Sequence, residues 1–284
     1  MFKGDNYKVQ NKVNKHYDKA CELYGEKRVI GVYLYGSQNY GLDTEESDVD
    51  TRCIIVPTLE DIALIRPMVS KTVEVEDGMM DVKDFRLFLE NLKKMNPNSL
   101  EVLFTPYYKV NSDYEFLFYY ELKARRHNIT ESNPYQLLQT VAGMARNHYK
   151  AIEKAGEEYK TKDLYHLLRY ERFLKRFIES FSFYDCLNYN RFDLDRISVL
   201  DAKSGATLKE NGLKKAKRAI ERIDEIYAKG IKDFIPGWHD TTLDKIFERI
   251  AIETLRFALG ANERDEKSGT DDRKISIDRG SIPW

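Results

Sequence analysis

The sequence predicts an α+β protein: a mixed β-sheet packed against helices over residues 1–110, an all-helical domain over 111–260, and a polar tail over 261–284. Three features lead there. Runs rich in Val, Ile, Thr and Tyr alternate with amphipathic segments up to about residue 107. Asp77-Gly78 separates two such runs, which is a strong hairpin signal. Beyond residue 112 strand signals nearly vanish, and apolar residues recur at helical spacing.

Taken in order, a charged helix runs up to Tyr24. Residues 32–35 make a short strand, bounded upstream by Gly31 and stopped by Gly36-Ser37. Residues 47–57 form a second strand, rich in Val, Thr, Cys and Ile. A connecting segment after Pro57 carries Leu59, Ile62 and Leu64. The hairpin follows, 72–76 and 79–83, and Asp84 then precedes the amphipathic run Phe85, Leu87, Phe88, Leu89, Leu92 as a helix N-cap. In the helical half, Asn133-Pro134 opens a helix over 135–154 with Leu138, Val141, Met144 and Ala145 on one face. Residues 162–183 carry Leu164, Leu167, Leu168, Leu174, Phe177 and Ile178 at helical spacing, and 208–231 and 243–259 complete the set. There is no internal repeat. The tail is charged, with scattered Gly, Ser and Asp, and its composition fits disorder or ordering by a partner.

At 284 residues the chain holds one large domain or two modest ones. A net charge of −1 excludes wholesale electrostatic attraction to nucleic acid, so any such contact rests on local patches. Cys21, Cys53 and Cys186 have neither a close pair nor metal-ligand spacing, which suits a reducing compartment. No apolar run reaches membrane-spanning length, and the opening residues lack the apolar region of a secretion signal. The expectation is a soluble, cytoplasmic protein without membrane contact.

The chemistry concentrates between Val32 and Arg52. A glycine at Gly36 lets the backbone approach a phosphate, and a helical turn starting at Gln38 points free N–H groups and the Ser37 hydroxyl at an anion. On a strand, Asp48 and Asp50 share a face about 7 Å apart. Paired carboxylates repel unless a cation lies between them, and hard ions such as Mg²⁺ take one or two carboxylates together with substrate phosphates.

Gly36-Ser37, ten residues, then Asp48-Val49-Asp50 resembles the core motif of the polymerase-β-type nucleotidyltransferase superfamily. The fuller strings Gly-Ser-Gln-Asn-Tyr-Gly and Glu-Ser-Asp-Val-Asp-Thr-Arg are similar to those of the RNA-ligase-associated nucleotidyltransferases of bacteria and phages. So is Asn96-Pro97-Asn98-Ser99-Leu100-Glu101. The likeness is specific over residues 32–104 and diffuse in the helical half.

The resemblance implies an NTP substrate whose NMP is transferred to an acceptor hydroxyl with release of pyrophosphate, assisted by two Mg²⁺ or Mn²⁺ ions. It also implies a third carboxylate on a neighbouring strand. Asp81, inside the returning hairpin strand, is the candidate, with Asp84 as its rival. One ion then bridges phosphate to Asp48 and Asp50, while a second is shared with Asp81 and binds the acceptor. The implied acceptor is an RNA end, in RNA repair or modification. Transfer to a protein hydroxyl, as in antitoxins with the same motif, and a non-catalytic nucleotide sensor are the alternatives.

Further candidates follow from position. Arg52 continues the face of Asp48 and Asp50, and either contacts a phosphate or pairs with the carboxylates. Lys162, His166 and Arg169 share a helix face and are candidate nucleotide ligands, with Arg146, Asn147, His148 and Lys150 on the adjacent helix. An ordinary solvated face is the alternative. Tyr40 is a candidate base-stacking residue because it lies in the loop. Lys214, Lys215, Lys217, Arg218 and Arg222 form a second basic cluster, diluted by Glu221 and Asp224.

Overall fold

The computed structural model describes residues 5–44, 47–189, 194–233 and 240–260; the tail read at 261–284 lies outside them. Five strands make one mixed sheet: β1 Val29–Leu34, β2 Thr51–Ile55, β3 Ser70–Val75, β4 Gly78–Asp84 and β5 Tyr108–Val110, in the order β3-β4-β2-β1-β5. Only β2 and β4 run parallel. The remaining neighbours are antiparallel.

Strands β1 and β2 are buried at every position, because both faces of the sheet are covered. On one face, helix α1 (Asp5–Tyr24) lays Val13, Tyr17 and Ala20 against Val32, Leu34, Cys53, Ile55, Met80 and Val82. On the other, Ile30, Tyr33 and Ile54 join a larger core. That core includes Phe85, Phe88 and Leu92 of α4 (Phe85–Lys93) and continues into the helical half.

Short helices decorate the sheet region: α2 Ser37–Tyr40, α3 Leu59–Ala63 and α5 Pro97–Leu100. The helical half contains α6 Arg126–Glu131, α7 Pro134–Ala155, α8 Thr161–Ser180, α9 Phe183–Leu187, α10 Leu194–Ser204, α11 Lys209–Asp233 and α12 Thr241–Ala258. Its apolar contribution comes from α7 (Leu137, Leu138, Val141), α8 (Leu164, Leu167, Leu174), α11 (Ala216, Ala219, Ile223) and α12 (Leu243, Phe247, Ile250). One apolar core therefore crosses the residue-110 boundary.

The hairpin forms where Asp77-Gly78 predicts it. Asp84 caps α4, accepting from the Arg86 N–H at 2.9 Å, and Asn133 caps α7 ahead of Pro134. Several expectations change, the first strand running Val29–Leu34 with Gly31 inside it. The second strand starts at Thr51, so Asp48 and Asp50 precede it in an extended segment held by isolated bonds: Val49 N–H to Asp77 O at 2.9 Å, and Tyr35 N–H to Asp50 O at 3.1 Å. Strand β5 lies inside the stretch read as the boundary; at three residues it carries too little alternation to register. Helices α9 and α10 and a π-helical segment, Leu117–Lys123, were likewise not resolved by periodicity.

Candidate active site

The sheet places the Gly-Ser turn and the paired carboxylates at one end of β1 and β2. Strand β1 stops at Leu34, and Gly36 turns the chain at φ +88° and ψ −153°. A positive φ is costly for residues with a Cβ, which accounts for glycine here. Helix α2 begins at Ser37, one residue before the expected start, and Gly41 closes it in the left-handed region. The Cβ that Gly36 lacks would point at Asp50, 3.9 Å from Oδ2, so the glycine opens space beside that carboxylate.

Three supports hold the carboxylate segment. The Gln38 side-chain amide donates to the Ser47 carbonyl at 3.2 Å and the Asp48 carbonyl at 3.1 Å, tying turn to segment. The hairpin presses from the other side, where a Cβ on Gly78 would stand 2.4 Å from the Val49 carbonyl oxygen. The Met79 N–H donates to Asp50 Oδ1 at 3.2 Å. Buried His16 donates through Nε2 to the Glu76 carbonyl at 2.8 Å, and the Thr51 hydroxyl meets its Nδ1 at 2.9 Å. Val49 faces the core, with Asp48 exposed and Asp50 half-buried on either side. Their alternation survives without a regular strand.

Desolvation raises the Asp50 pKa above its usual 3.8; the Met79 N–H opposes that, Asp48 adds to it, and Lys162 and His16 oppose it. Asp48 and Asp50 thus form the repelling pair that a cation relieves. Asp81, the candidate third carboxylate, is ion-paired. It stands beside Arg52 in the β2/β4 register and receives Arg52 Nη2 at 2.9 Å, Arg52 Nε at 3.3 Å and Lys83 Nζ at 3.0 Å. Among the described residues, no three His, Cys, Asp or Glu side chains are grouped to hold a metal ion. Asp48 and Asp50 offer carboxylate oxygens, the donors a hard cation takes, whereas the oxygens of Asp81 are held by Arg52 and Lys83.

Arg52 is committed in the same way. Its guanidinium also donates to the Asn98 carbonyl and to Ser99 Oγ, and lies over the Tyr35 ring at 4.9 Å. Of the two expected roles, the pairing with a carboxylate is the one seen here, to Asp81. Of the three candidates on α8, Lys162 is exposed and acts on Asp50. Arg169 is buried, over the Tyr40 ring at 4.7 Å and the Tyr170 ring at 5.0 Å, with Nη2 3.4 Å from Asn98 Oδ1. His166 stacks on His148 at 4.9 Å, its buried Nδ1 unpartnered. The three thus differ in exposure and partners, while Arg169 and Lys162 both act on the His166 imidazole. Tyr40 is 5% exposed, so base stacking on it is closed off in this conformation. Arg146 pairs with Asp224 at 2.7 Å.

Some residues at the site gave no local signal. Helix α10 reaches over the loop: Lys203 Nζ donates to Ser47 Oγ at 2.9 Å and the Leu42 carbonyl at 3.0 Å, and Arg196 Nε to the Gly41 carbonyl at 3.0 Å. Burial lowers the Lys203 pKa while Asp43, Asp50 and Asp48 oppose it, which places its ammonium in their field. Gln38 and Glu101 lay within the quoted motifs without a role assigned.

Among the described residues no helix is long and apolar enough to cross a membrane. Residues 8–171 match the model of the RNA repair pathway DNA polymerase beta family. Comparison with curated proteins gives no match.

Proposed function

Since the chain belongs to the RNA repair pathway DNA polymerase beta family, we propose that it is a metal-dependent nucleotidyltransferase that moves an NMP from an NTP to the hydroxyl of an RNA end and releases pyrophosphate. The observation that carries the proposal is the joining of turn and carboxylates: Gln38 bonds α2 to the Asp48 carbonyl at 3.1 Å, and the open side of Gly36 faces Asp50. A phosphate-approaching turn and a cation-seeking pair are built as one unit.

In this scheme the triphosphate lies against Gly36 and Ser37, where the absent side chain admits it and the Ser37 hydroxyl donates to it. Asp48 and Asp50 would hold a divalent ion, Mg²⁺ or Mn²⁺, which when bound neutralises phosphate charge and lowers the pKa of an acceptor hydroxyl. The chain's own work is positional. Met79 orients the Asp50 carboxylate, Gln38 fixes the Asp48 backbone, and Lys162 brings a positive charge to the same space. Lys203 fastens the loop from the helical side. Arg52 and Asp81 brace the floor between β2 and β4.

Pyrophosphate release from each of the four NTPs with Mg²⁺ or Mn²⁺ tests this, with and without cellular RNA, against Asp48→Ala/Asp50→Ala. RNA-dependent release that disappears in the double variant is expected and identifies the base. RNA-independent release with nucleotide mass added to a protein would overturn the acceptor, and nucleotide binding without any release would overturn the transfer.

A further inference from the structure

The loop between the Gly36–Tyr40 turn and the carboxylate segment is held from outside. Three consecutive carbonyls, those of Tyr40, Gly41 and Leu42, each accept from the helical half: from the Tyr189 N–H at 3.3 Å, Arg196 Nε at 3.0 Å and Lys203 Nζ at 3.0 Å. Gly41 turns the chain in the left-handed region, at φ +72°. Within the loop, the Leu42 N–H donates to the Ser37 carbonyl at 2.9 Å, the Ser47 N–H to the Thr44 carbonyl at 3.0 Å, and the Thr44 N–H to Ser47 Oγ at 2.9 Å.

Two of the three donors are themselves anchored on α8. Arg172 fixes the chain ahead of Tyr189, donating to the Cys186 carbonyl at 3.1 Å and the Asn188 carbonyl at 2.6 Å, and lies over the Tyr189 ring at 3.7 Å. The half-buried Lys203 ammonium stands 5.9 Å from the buried Tyr165 ring. Lys203 also reaches furthest along the loop. Besides the Leu42 carbonyl it takes Ser47 Oγ at 2.9 Å, and Ser47 directly precedes Asp48. The Ser47 carbonyl in turn accepts from Gln38, so this residue is fixed from the turn on one side and from α10 on the other.

Adhesion between sheet and helices is the plain structural reason for such contacts. It would be served by bonds anywhere along the shared core, whereas these three fall on successive residues beside the candidate site. A half-buried ammonium also gives up hydration, and here a carbonyl and a hydroxyl, not a carboxylate, replace it.

We infer that Lys203 is a positioning residue for the carboxylate pair: by joining the Leu42 carbonyl to Ser47 Oγ it sets the span of the loop, and with it the place of Asp48. Its consequence for transfer rests on the nucleotidyltransferase reading. The fixing of the loop stands without it.

The test uses the full chain and three variants: Lys203→Met, which removes the ammonium, Lys203→Arg, which restores a cationic donor, and Ser47→Ala, which removes the acceptor next to Asp48. Amide hydrogen exchange at Leu42 and Ser47 is followed beside the urea midpoint. The Mn²⁺ dependence of pyrophosphate release gives the half-saturating metal concentration and kcat. Lys203→Met is expected to quicken exchange at Leu42 and Ser47 about tenfold while β1 and α8 stay protected, and to raise half-saturating Mn²⁺ by a similar factor with kcat changing less. Lys203→Arg should recover most of both. Ser47→Ala should quicken exchange as well, and the double variant should add little to Lys203→Met, since both remove one bond. Wild-type exchange at the loop in Lys203→Met, additive effects in the double variant, or protection lost evenly over the fold would overturn the positioning role. So would quickened exchange with an unchanged Mn²⁺ dependence. Should Lys203→Met not fold, Ser47→Ala decides, and unchanged exchange at the loop overturns the inference. Local quickening in a protein that releases no pyrophosphate would support the fixing of the loop and sink the nucleotidyltransferase reading instead.

Discussion

Arg52 and Asp81 stand side by side on the parallel strands β2 and β4, Nη2 to Oδ2 2.9 Å, with 6% and 12% of their side chains exposed. The pair occupies the place where a third metal-binding carboxylate is expected, and it makes that carboxylate part of the sheet. Removing one partner of a buried pair leaves the other uncompensated, so Arg52→Met is expected to lower stability by about 3 kcal/mol, near the low end for such pairs because Lys83 stays on Asp81. Urea unfolding measures it. Asp81→Asn is expected to destabilise as well; a variant of full stability that loses metal-dependent activity would make Asp81 a ligand after all.

Asp48 and Asp50 carry the opposite expectation. Asp48 is exposed and Asp50 half-buried, so Asp48→Asn and Asp50→Asn are expected to fold normally and to lose transfer by a factor on the order of 10²–10³. Steady-state pyrophosphate release together with circular dichroism separates loss of chemistry from loss of fold.

Asp50 also sets a pH dependence. Its folded pKa is raised above 3.8, first by desolvation, so the folded state favours the protonated acid and ionisation costs stability. The benefit is complete below the unfolded value and lost as pH rises through the raised folded value. Asp50→Asn, which keeps the acceptor for the Met79 N–H, is therefore expected to melt higher than wild type at pH 7, with the gap closing as pH falls through the carboxylate range. Thermal melts at pH 7 and pH 3.5 decide it, and an unchanging gap would count against the desolvation.

His166 gives a slope of the other sign. Burial lowers its pKa from 6.5 to about 2, so its contribution is present above 6.5 and lost as pH falls towards the folded value. The expected loss is up to about 1.4 kcal/mol per pH unit below 6.5. In His166→Phe, which keeps an aromatic ring against His148, that part of the slope should vanish from urea midpoints taken between pH 7 and pH 5.

Gly78→Ala probes the coupling of hairpin to carboxylates. The new Cβ would stand 2.4 Å from the Val49 carbonyl oxygen, and backbone on both sides must move. A cost of about 1–3 kcal/mol is expected, with a fall in transfer although residue 78 touches no substrate. Unchanged kcat in a destabilised variant would show that the segment 48–50 holds its place without the hairpin.

Much of this protein is legible in one dimension because the deciding interactions are local. Asp77-Gly78 makes its turn, Asp84 and Asn133 cap the helices they precede, and the periodicity of Leu164, Leu167, Leu168 and Leu174 gives α8 its buried face. Gly36-Ser37 and Asp48-Val49-Asp50 mark the candidate site for the same reason, since turn and alternation are properties of neighbouring residues. Strand β5 escaped because three residues carry too little pattern.

The sequence by itself determined an α+β fold and pointed to a candidate site and the chemical types gathered there. Only the tertiary structure decided which charges are free to act. Arg52, Asp81, Arg169 and Tyr40 look alike in sequence to residues that meet a substrate, yet packing turns them toward one another and away from solvent. Lys203 and Arg196, which carry no local mark, arrive at the loop from more than 150 residues away. Burial and pairing depend on which strand and which helix come to lie alongside, and a register such as Arg52 opposite Asp81 exists only once the sheet has formed.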